Sequence, residues 1–159
     1  MRDDSGVQIE FRPMDPARPP ASDLLAAMVD EMNALYGDIE FPGMPSATPA
    51  DFAPPAGTFL VGFHDGEPVC AGGIKRIAPD AAEIKRMYVV PAARRRGVAR
   101  TLLGALEDAA RERGYTFVRL DTGPLQQHAV ALYASAGYTA IGNFNANPIA
   151  AYWGEKRLA

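Results

Sequence analysis

The stretch whose residue types and spacing point most directly to chemistry is Arg94-Arg95-Arg96-Gly97-Val98-Ala99. It lies between a strand-like run ending at Val90-Pro91 and a strongly helical run that begins at Val98. The first turn of a helix leaves backbone N–H groups without carbonyl partners and carries the positive end of the helix dipole. A basic, glycine-containing turn that opens a helix is therefore suited to hold a phosphate. Gly97 lets the backbone approach the anion with no side chain in the way. A nucleoside-triphosphate loop would follow its glycine with Lys-Ser/Thr, whereas Val98-Ala99 follows here; a dinucleotide site would carry G-x-G-x-x-G, and this loop has one glycine. The two histidines, His64 and His128, and the single cysteine, Cys70, form no cluster with zinc- or iron-site spacing, so no metal is expected.

The elements that must position this loop can be read from periodicity. Val7 to Arg12 alternates as a half-buried strand does, before Pro13 and Pro16 interrupt it. Ser22 or Asp23 is expected to cap a helix running through Leu24, Leu25, Met28, Val29, Met32, Leu35 and Tyr36, with Gly37 as its stop. Asp38 to Ala56 is rich in proline and reads as a long loop with one short helical turn near Pro49 to Phe52. Thr58 to His64 and Glu67 to Ile77 are strands joined by Asp65-Gly66, a strong hairpin signal, and Ala82 to Val90 is the next strand. In Val98 to Arg113, residues Val98, Leu102, Leu106, Ala109 and Ala110 line one helix face and Arg100, Glu107 and Arg111 another, with Gly114 ending it. A strand at Phe117 to Leu120, a helix from Leu125 to Ser135, a strand start at Tyr138 to Ile141 and a final strand within Ala150 to Leu158 complete the chain.

Strands and helices interleave, so the expected fold is α/β with a mixed sheet and one domain over residues 1 to 159. The strand 82 to 90, helix 98 to 113 and strand 116 to 121 make a right-handed βαβ unit, which places the ligand crevice at the carboxyl end of strand 82 to 90. With 159 residues, 48% hydrophobic and 22% charged, the chain can bury a core without staples. The net charge of −3 argues against a nucleic-acid partner. No apolar run approaches the ~20 residues that span a bilayer, and the N-terminus lacks the apolar region of a secretion signal. A lone cysteine excludes an internal disulfide, so a cytoplasmic protein with no membrane partner is expected.

Three segments taken together resemble one family. Arg94 to Ala99 matches Q/R-x-x-G-x-G/A, the phosphate-loop pattern of the GNAT superfamily of acyl-CoA-dependent N-acetyltransferases. Ala82-Glu83-Ile84-Lys85-Arg86-Met87-Tyr88-Val89-Val90-Pro91 looks like that family's fourth strand, and Ala129 to Tyr138 resembles its A-x-x-L-Y-x-x-x-G-[FY] segment. The three occur in the family's order and cover residues 82 to 141. Asp121-Thr122-Gly123-Pro124-Leu125-Gln126 and Glu155-Lys156-Arg157-Leu158 are similar to a bacterial subgroup of mostly unassigned substrate.

The resemblance implies a mostly antiparallel central sheet of six to seven strands flanked by helices on both faces. It further implies that the pyrophosphate of coenzyme A is held by backbone amides of Arg95, Arg96, Gly97, Val98 and Ala99, with Arg100 and Thr101 completing the turn. The side chains of Arg94, Arg95 and Arg96 either neutralise the 3′-phosphate or are simply solvated. Met87, Tyr88 and Val89 match the strand whose backbone pairs with pantetheine and polarises the thioester carbonyl, or are ordinary buried strand residues. Gln126 matches a position that is commonly Asn and contacts pantetheine, and is one methylene longer. Tyr133 aligns with the tyrosine that protonates the departing thiolate; its other reading is a core aromatic. Glu83 lies where relatives place a glutamate that deprotonates the amine, or is a strand carboxylate paired with Lys85 or Arg119.

The implied activity is direct transfer of acetyl from acetyl-CoA to a primary amine of a small molecule or peptide, the other reading being a silent acyl-CoA-binding sensor of the same fold. Cys70 has no candidate activating histidine, which disfavours a covalent enzyme intermediate. Met28, Met32 and Tyr36, with the 38 to 56 loop, are expected to form the acceptor wall. In that loop Asp38 and Glu40 either attract a cationic amine or are solvated, and Ile39, Phe41, Met44 and Phe52 either meet an apolar acceptor or dock as a lid. A monomer or a homodimer pairing through the edge near Tyr152-Trp153 are both compatible with the sequence.

Overall fold

A computed structural model describes residues 7–37, 48–147 and 150–158. It contains a mixed sheet of seven strands, in the order β1-β2-β3-β4-β5-β7-β6. The strands are β1 (Glu10–Pro13), β2 (Thr58–His64), β3 (Glu67–Ala78), β4 (Ala81–Val89), β5 (Phe117–Thr122), β6 (Thr139–Ala140) and β7 (Tyr152–Arg157). Three α-helices lie among the described residues: α1 (Ala21–Tyr36), α2 (Val98–Glu112) and α3 (Gln127–Ser135). Short 3-10 turns occupy Pro49–Phe52 and Pro91–Ala93.

The β2–β3 hairpin turns on Asp65 (φ 49°) and Gly66 (φ 82°), both left-handed, as a two-residue turn between twisted strands requires. Alternating residues divide the core between the two faces of the sheet. Leu60, Cys70, Ile74 and Ile84 pack with Leu102, Leu103 and Leu106 of α2, while Phe59, Val61, Phe63 and Ala71 pack with Ala21 and Leu24 of α1. Helices therefore cover both faces, which is the mixed α/β sheet expected.

Two irregularities in this sheet create the site. The β3–β4 register runs Gly73↔Lys85 and then Ala71↔Tyr88, so β4 carries one extra residue at Arg86-Met87, with Arg86 at φ 59°. A bulge takes its extra residue out of the ladder and, because strand side chains alternate with period two, reverses every side chain beyond it. Ile84 and Met87 consequently share the α2 face, and Tyr88 joins the α1 face. The second irregularity is between β4 and β5, the one parallel pair, which is joined only from Ala81↔Phe117 to Glu83↔Arg119. Beyond that point β4 stays with β3 and β5 stays with β7 to Thr122, so the sheet splits open.

Several sequence expectations need correction. The α1 N-cap is Pro20, not Ser22 or Asp23, which lie within the helix; no side chain caps it. β1 begins at Glu10 and α3 at Gln127, each later than the pattern indicated, and β6 shrinks to two residues. Glu107 is buried rather than on the solvent face of α2, because Lys156 (2.9 Å) and the Tyr138 hydroxyl (2.8 Å) pair with its carboxylate. Among the described residues no helix is long and apolar enough to cross a membrane.

Candidate active site

The loop between β4 and α2 has the geometry of an anion cradle. Arg95 (φ 65°) and Gly97 (φ 77°) are both left-handed, and Gly97 is the N-cap of α2 with no side chain closing the helix end. Left-handed residues alternating with right-handed ones turn successive amides toward one concavity. The first main-chain bond of the turn runs from the Thr101 amide to the Gly97 carbonyl (3.1 Å), so the amides of Val98, Ala99 and Arg100 have no helical carbonyl to donate to. Nothing lies within 4 Å of the position a Gly97 Cβ would take. This open, amide-lined end fits a pyrophosphate.

The basic side chains divide. Arg94 donates from Nε to the Val89 carbonyl (2.9 Å) and ion-pairs with Glu31 of α1 (2.6 Å), with its guanidinium over the Tyr88 ring. It ties the end of β4 to α1 and has little left for a phosphate. Arg100 donates to the Ser135 hydroxyl at the end of α3. Arg95 and Arg96 are exposed beside the cradle, and Thr101 turns its hydroxyl back to the Gly97 carbonyl (3.0 Å).

At the other end of the gap, a cavity of about 230 Å³ lies between the diverging strands. Ile84, Lys85, Arg86 and Met87 of β4 form one side, Asp121 and Thr122 of β5 with the following Gly123 the other, and Met28, Met32 and Tyr36 of α1 a third. The three α1 residues named from the sequence thus line this cavity, while the 38 to 56 loop expected beside them is described only from residue 48. A larger groove of about 800 Å³ lies apart from the bulge, between α3 and the β6–β7 segment.

Tyr133 of α3 reaches into the cavity at the bulge. Its hydroxyl lies 4.0 Å from Met87 Sδ, and its ring packs against Tyr138 and Tyr152. Burial, then the nearby Asp121 carboxylate and Tyr152, push its pKa up, so the phenol stays protonated. Gln126 lines the same cavity, with its side-chain oxygen accepting from the Gly123 amide (3.1 Å). The Tyr36 hydroxyl bonds that same oxygen (3.4 Å) and accepts from the Leu125 amide (3.1 Å), fastening the end of α1 to the β5–α3 turn. The hydroxyl packs so closely on Gly123 that any Cβ there would overlap it.

The carboxylates are arranged in a way the sequence did not reveal. Glu83 is only 2% exposed; it accepts from Lys85 Nζ (3.3 Å) and Asn145 Nδ2 (2.9 Å), and it is absent from the cavity wall. Its pairing with Lys85 was one of the two sequence readings, whereas Arg119 turns instead to Glu155 (2.6 Å). The carboxylate on the wall is Asp121, whose Oδ2 accepts from Asn145 Nδ2 (2.6 Å) and Asn147 Nδ2 (3.0 Å). Asn145 therefore spans both carboxylates with one amide group. Its own oxygen is fixed by the Trp153 indole (3.1 Å) and the Asn147 amide (3.2 Å).

Asp121 lies within the Asp121–Gln126 motif, but no role for it, or for Asn145 and Asn147, follows from the sequence alone. The asparagine-rich run Gly142-Asn143-Phe144-Asn145-Ala146-Asn147 was the available signal. Asp38, Ile39, Glu40, Phe41 and Met44 lie outside the described residues. Phe52 is buried against Phe59 in the core. His64 sits at the far end of β2, bonded to the Gln8 carbonyl, and His128 is exposed on α3. Cys70 is fully buried in β3, and burial pushes its thiol up to about 12.

Known proteins are similar to this chain in sequence and fold. The family model described as Acetyltransferase (GNAT) family matches residues 25–138. The chain is 32% identical over 128 residues to an IAA acetyltransferase of Azospirillum brasilense, covering 79% of this chain and 83% of that protein. It is 29% identical over 126 residues to the uncharacterized N-acetyltransferase YjgM of Escherichia coli, covering 74% and 75%. Among solved structures, an acyl-CoA N-acyltransferase of Klebsiella pneumoniae superposes with a TM-score of 0.75 at 28% identity, over 96% of this chain and 99% of that one.

Proposed function

The chain belongs to the GNAT acetyltransferase family, whose co-substrate is acetyl-CoA, and on that premise we propose that it transfers acetyl directly from acetyl-CoA to a primary amine. The observation that carries this reading is the convergence, in one split in the sheet, of the β4 bulge, the Tyr133 hydroxyl and a cavity walled by α1. The amide cradle at Gly97 lies at the end of the same strand.

The pyrophosphate would be held by the loop amides from Arg95 to Ala99, with Arg95 and Arg96 adding charge from its exposed side. Pantetheine would lie along β4, where the main chain of Met87, Tyr88 and Val89 supplies donors and acceptors to the amide links of the arm. The bulge frees backbone near Met87 to donate to the acyl oxygen as charge develops there. A preorganised donor of this type contributes ~3 kcal/mol in the transition state. Tyr133 would give its proton to the departing sulfur. The dry surroundings that disfavour its phenolate also disfavour the thiolate, so the environment does not oppose the transfer. The acceptor amine must shed a proton before it attacks, and the carboxylates of Glu83 and Asp121 provide the destination. The buried, high-pKa thiol of Cys70 supports a route with no acyl-enzyme.

The test is release of free thiol from acetyl-CoA across a panel of amines, with the acetylated product identified by mass. Amine-dependent thiol release and a matching acetamide are expected. Tight binding of acetyl-CoA without transfer to any amine would replace this reading with that of a silent acyl-CoA-binding protein.

A further inference from the structure

Resting on the proposed acetyl transfer, we propose that Asp121 is the acceptor anchor. Its carboxylate, set on the cavity wall by Asn145 and Asn147, holds the acceptor as an alkylammonium ion and takes its proton, so the substrate is a cationic primary amine on an apolar stem.

Four charged side chains belong to the cavity and its base, and three have partners of opposite sign. Lys85 is paired with Glu83 at 3.3 Å. The Arg86 guanidinium leans over the Phe52 ring, 6.0 Å from its centroid, and interacts with the Asp51 carboxylate. Asp121 differs: among the described residues it has no cation at ion-pair distance, and the two partners seen are neutral amides, both on Oδ2. A half-buried carboxylate on a cavity wall whose partners are neutral amides on one oxygen is suited to receive a cationic group that enters the cavity.

Asp121 is the penultimate residue of β5, on the side of the split opposite the bulge, and it is close enough to Tyr133 to act on that phenol electrostatically. An amine held by Asp121 therefore stands across the gap from the acyl position, with the proton donor beside it. The α1 side of the cavity, Met28, Met32 and Tyr36, offers apolar surface to the stem that carries the amine. Asn145 is a positioning residue. Its NH2 spans Glu83 and Asp121 while Trp153 and Asn147 fix its oxygen, so it sets where Asp121 points.

The step balances. One ammonium N–H bond breaks toward Asp121 and leaves its electron pair on nitrogen. That pair forms the C–N bond to the acetyl carbon, and the C–S bond breaks with its pair on sulfur. Sulfur takes the Tyr133 proton, the second nitrogen proton restores the phenol, and Asp121 releases the first to solvent.

The experiment compares Asp121→Asn, Asn145→Ala and their double variant with the unaltered protein, using a propylamine-type acceptor and trifluoroethylamine, which is largely neutral at pH 7. Acetyl-CoA binding by calorimetry and the thermal melt serve as controls. Asp121→Asn is expected to lower kcat/KM for the cationic amine about 100-fold and for the neutral one by less than a tenth of that factor, with acetyl-CoA affinity within about twofold. Asn145→Ala should raise KM and lower kcat for the cationic amine. In the double variant its effect should largely vanish, because both changes act through one carboxylate. Equal losses for the two amines, or additive effects in the double variant, would overturn the proposal while leaving acetyl transfer intact. If Asp121→Asn does not fold, Asn145→Ala alone decides by the same amine comparison. Binding of acetyl-CoA with no transfer to either amine by the unaltered protein would instead overturn the reading on which it rests.

Discussion

The two sides of the split sheet are built from different parts of the chain. On the β4 side, the groups offered to a ligand are main-chain ones: the bulge at Arg86-Met87 and the amides from Arg95 to Ala99, drawn from fifteen or so consecutive residues. On the β5 side they are side chains: Asp121, Asn145, Asn147, Tyr133 and the α1 residues Met28, Met32 and Tyr36, drawn from segments far apart in sequence. Main-chain function tolerates change of residue type as long as the backbone path holds. Side-chain function does not, but it can be retuned one residue at a time. On the proposed function, this division gives a coenzyme half fixed by shape and an acceptor half open to substitution.

The comparison can be broken most severely at Gly97. Gly97→Glu forces a side chain into a left-handed residue, at a cost of about 1–2 kcal/mol, and puts a carboxylate beside the proposed pyrophosphate position. Calorimetry should show acetyl-CoA affinity at least ~30-fold weaker, since the carboxylate repels the phosphates and a backbone that relaxes its strain no longer aims the same amides. An affinity within threefold of the unaltered protein would show that the cradle does not hold the coenzyme.

Tyr133→Phe tests the other side. It removes only the hydroxyl from a packed ring, so kcat should fall ~10–100-fold, with acetyl-CoA affinity nearly unchanged. A fall in affinity without a fall in kcat would make Tyr133 a packing residue.

The arginines sharpen the division. Arg95→Ala and Arg96→Ala should each weaken acetyl-CoA binding by a few-fold, as exposed charges do. Arg94→Ala should affect binding less and instead lower the melting temperature slightly, through loss of its bridge to Glu31. A larger binding loss at Arg94 than at Arg95 or Arg96 would reverse that assignment.

The smallest effect on turnover is expected at Cys70, where Cys70→Ala should retain most activity. Its folded thiol is raised to about 12 from 9.0, so the stability it contributes is present below pH 9 and is lost as pH climbs toward 12. The native thiol should resist a disulfide reagent at pH 8 and react fully once the chain is unfolded. Rapid labelling of the native protein would contradict the burial.

This division also explains what could be read beforehand. The Asp65-Gly66 hairpin, the α2 stripe and the phosphate loop are local, and each is encoded by neighbours in sequence. The Met28, Met32 and Tyr36 face was legible because helical spacing alone brings those residues together. The Asp121–Asn145–Glu83 arrangement was not, since no local pattern brings an asparagine from the β6–β7 segment between two strands. Glu83 could be picked out by position, but its burial behind Asn145 depends on how the sheet opens. Glu107 was misplaced for a related reason. A charged residue within an apolar stripe looks solvent-facing until a Lys156 from β7 and a Tyr138 after α3 are found beneath it.

The seat of the Tyr36 hydroxyl on Gly123 makes α1 and the β5–α3 turn one mechanical unit. A side chain at position 123 would displace the end of α1 without touching the cradle or the bulge. Acceptor preference could thus drift, over a lineage or in directed selection, through a residue that contacts no reacting atom: a hinge pin set beneath the substrate wall.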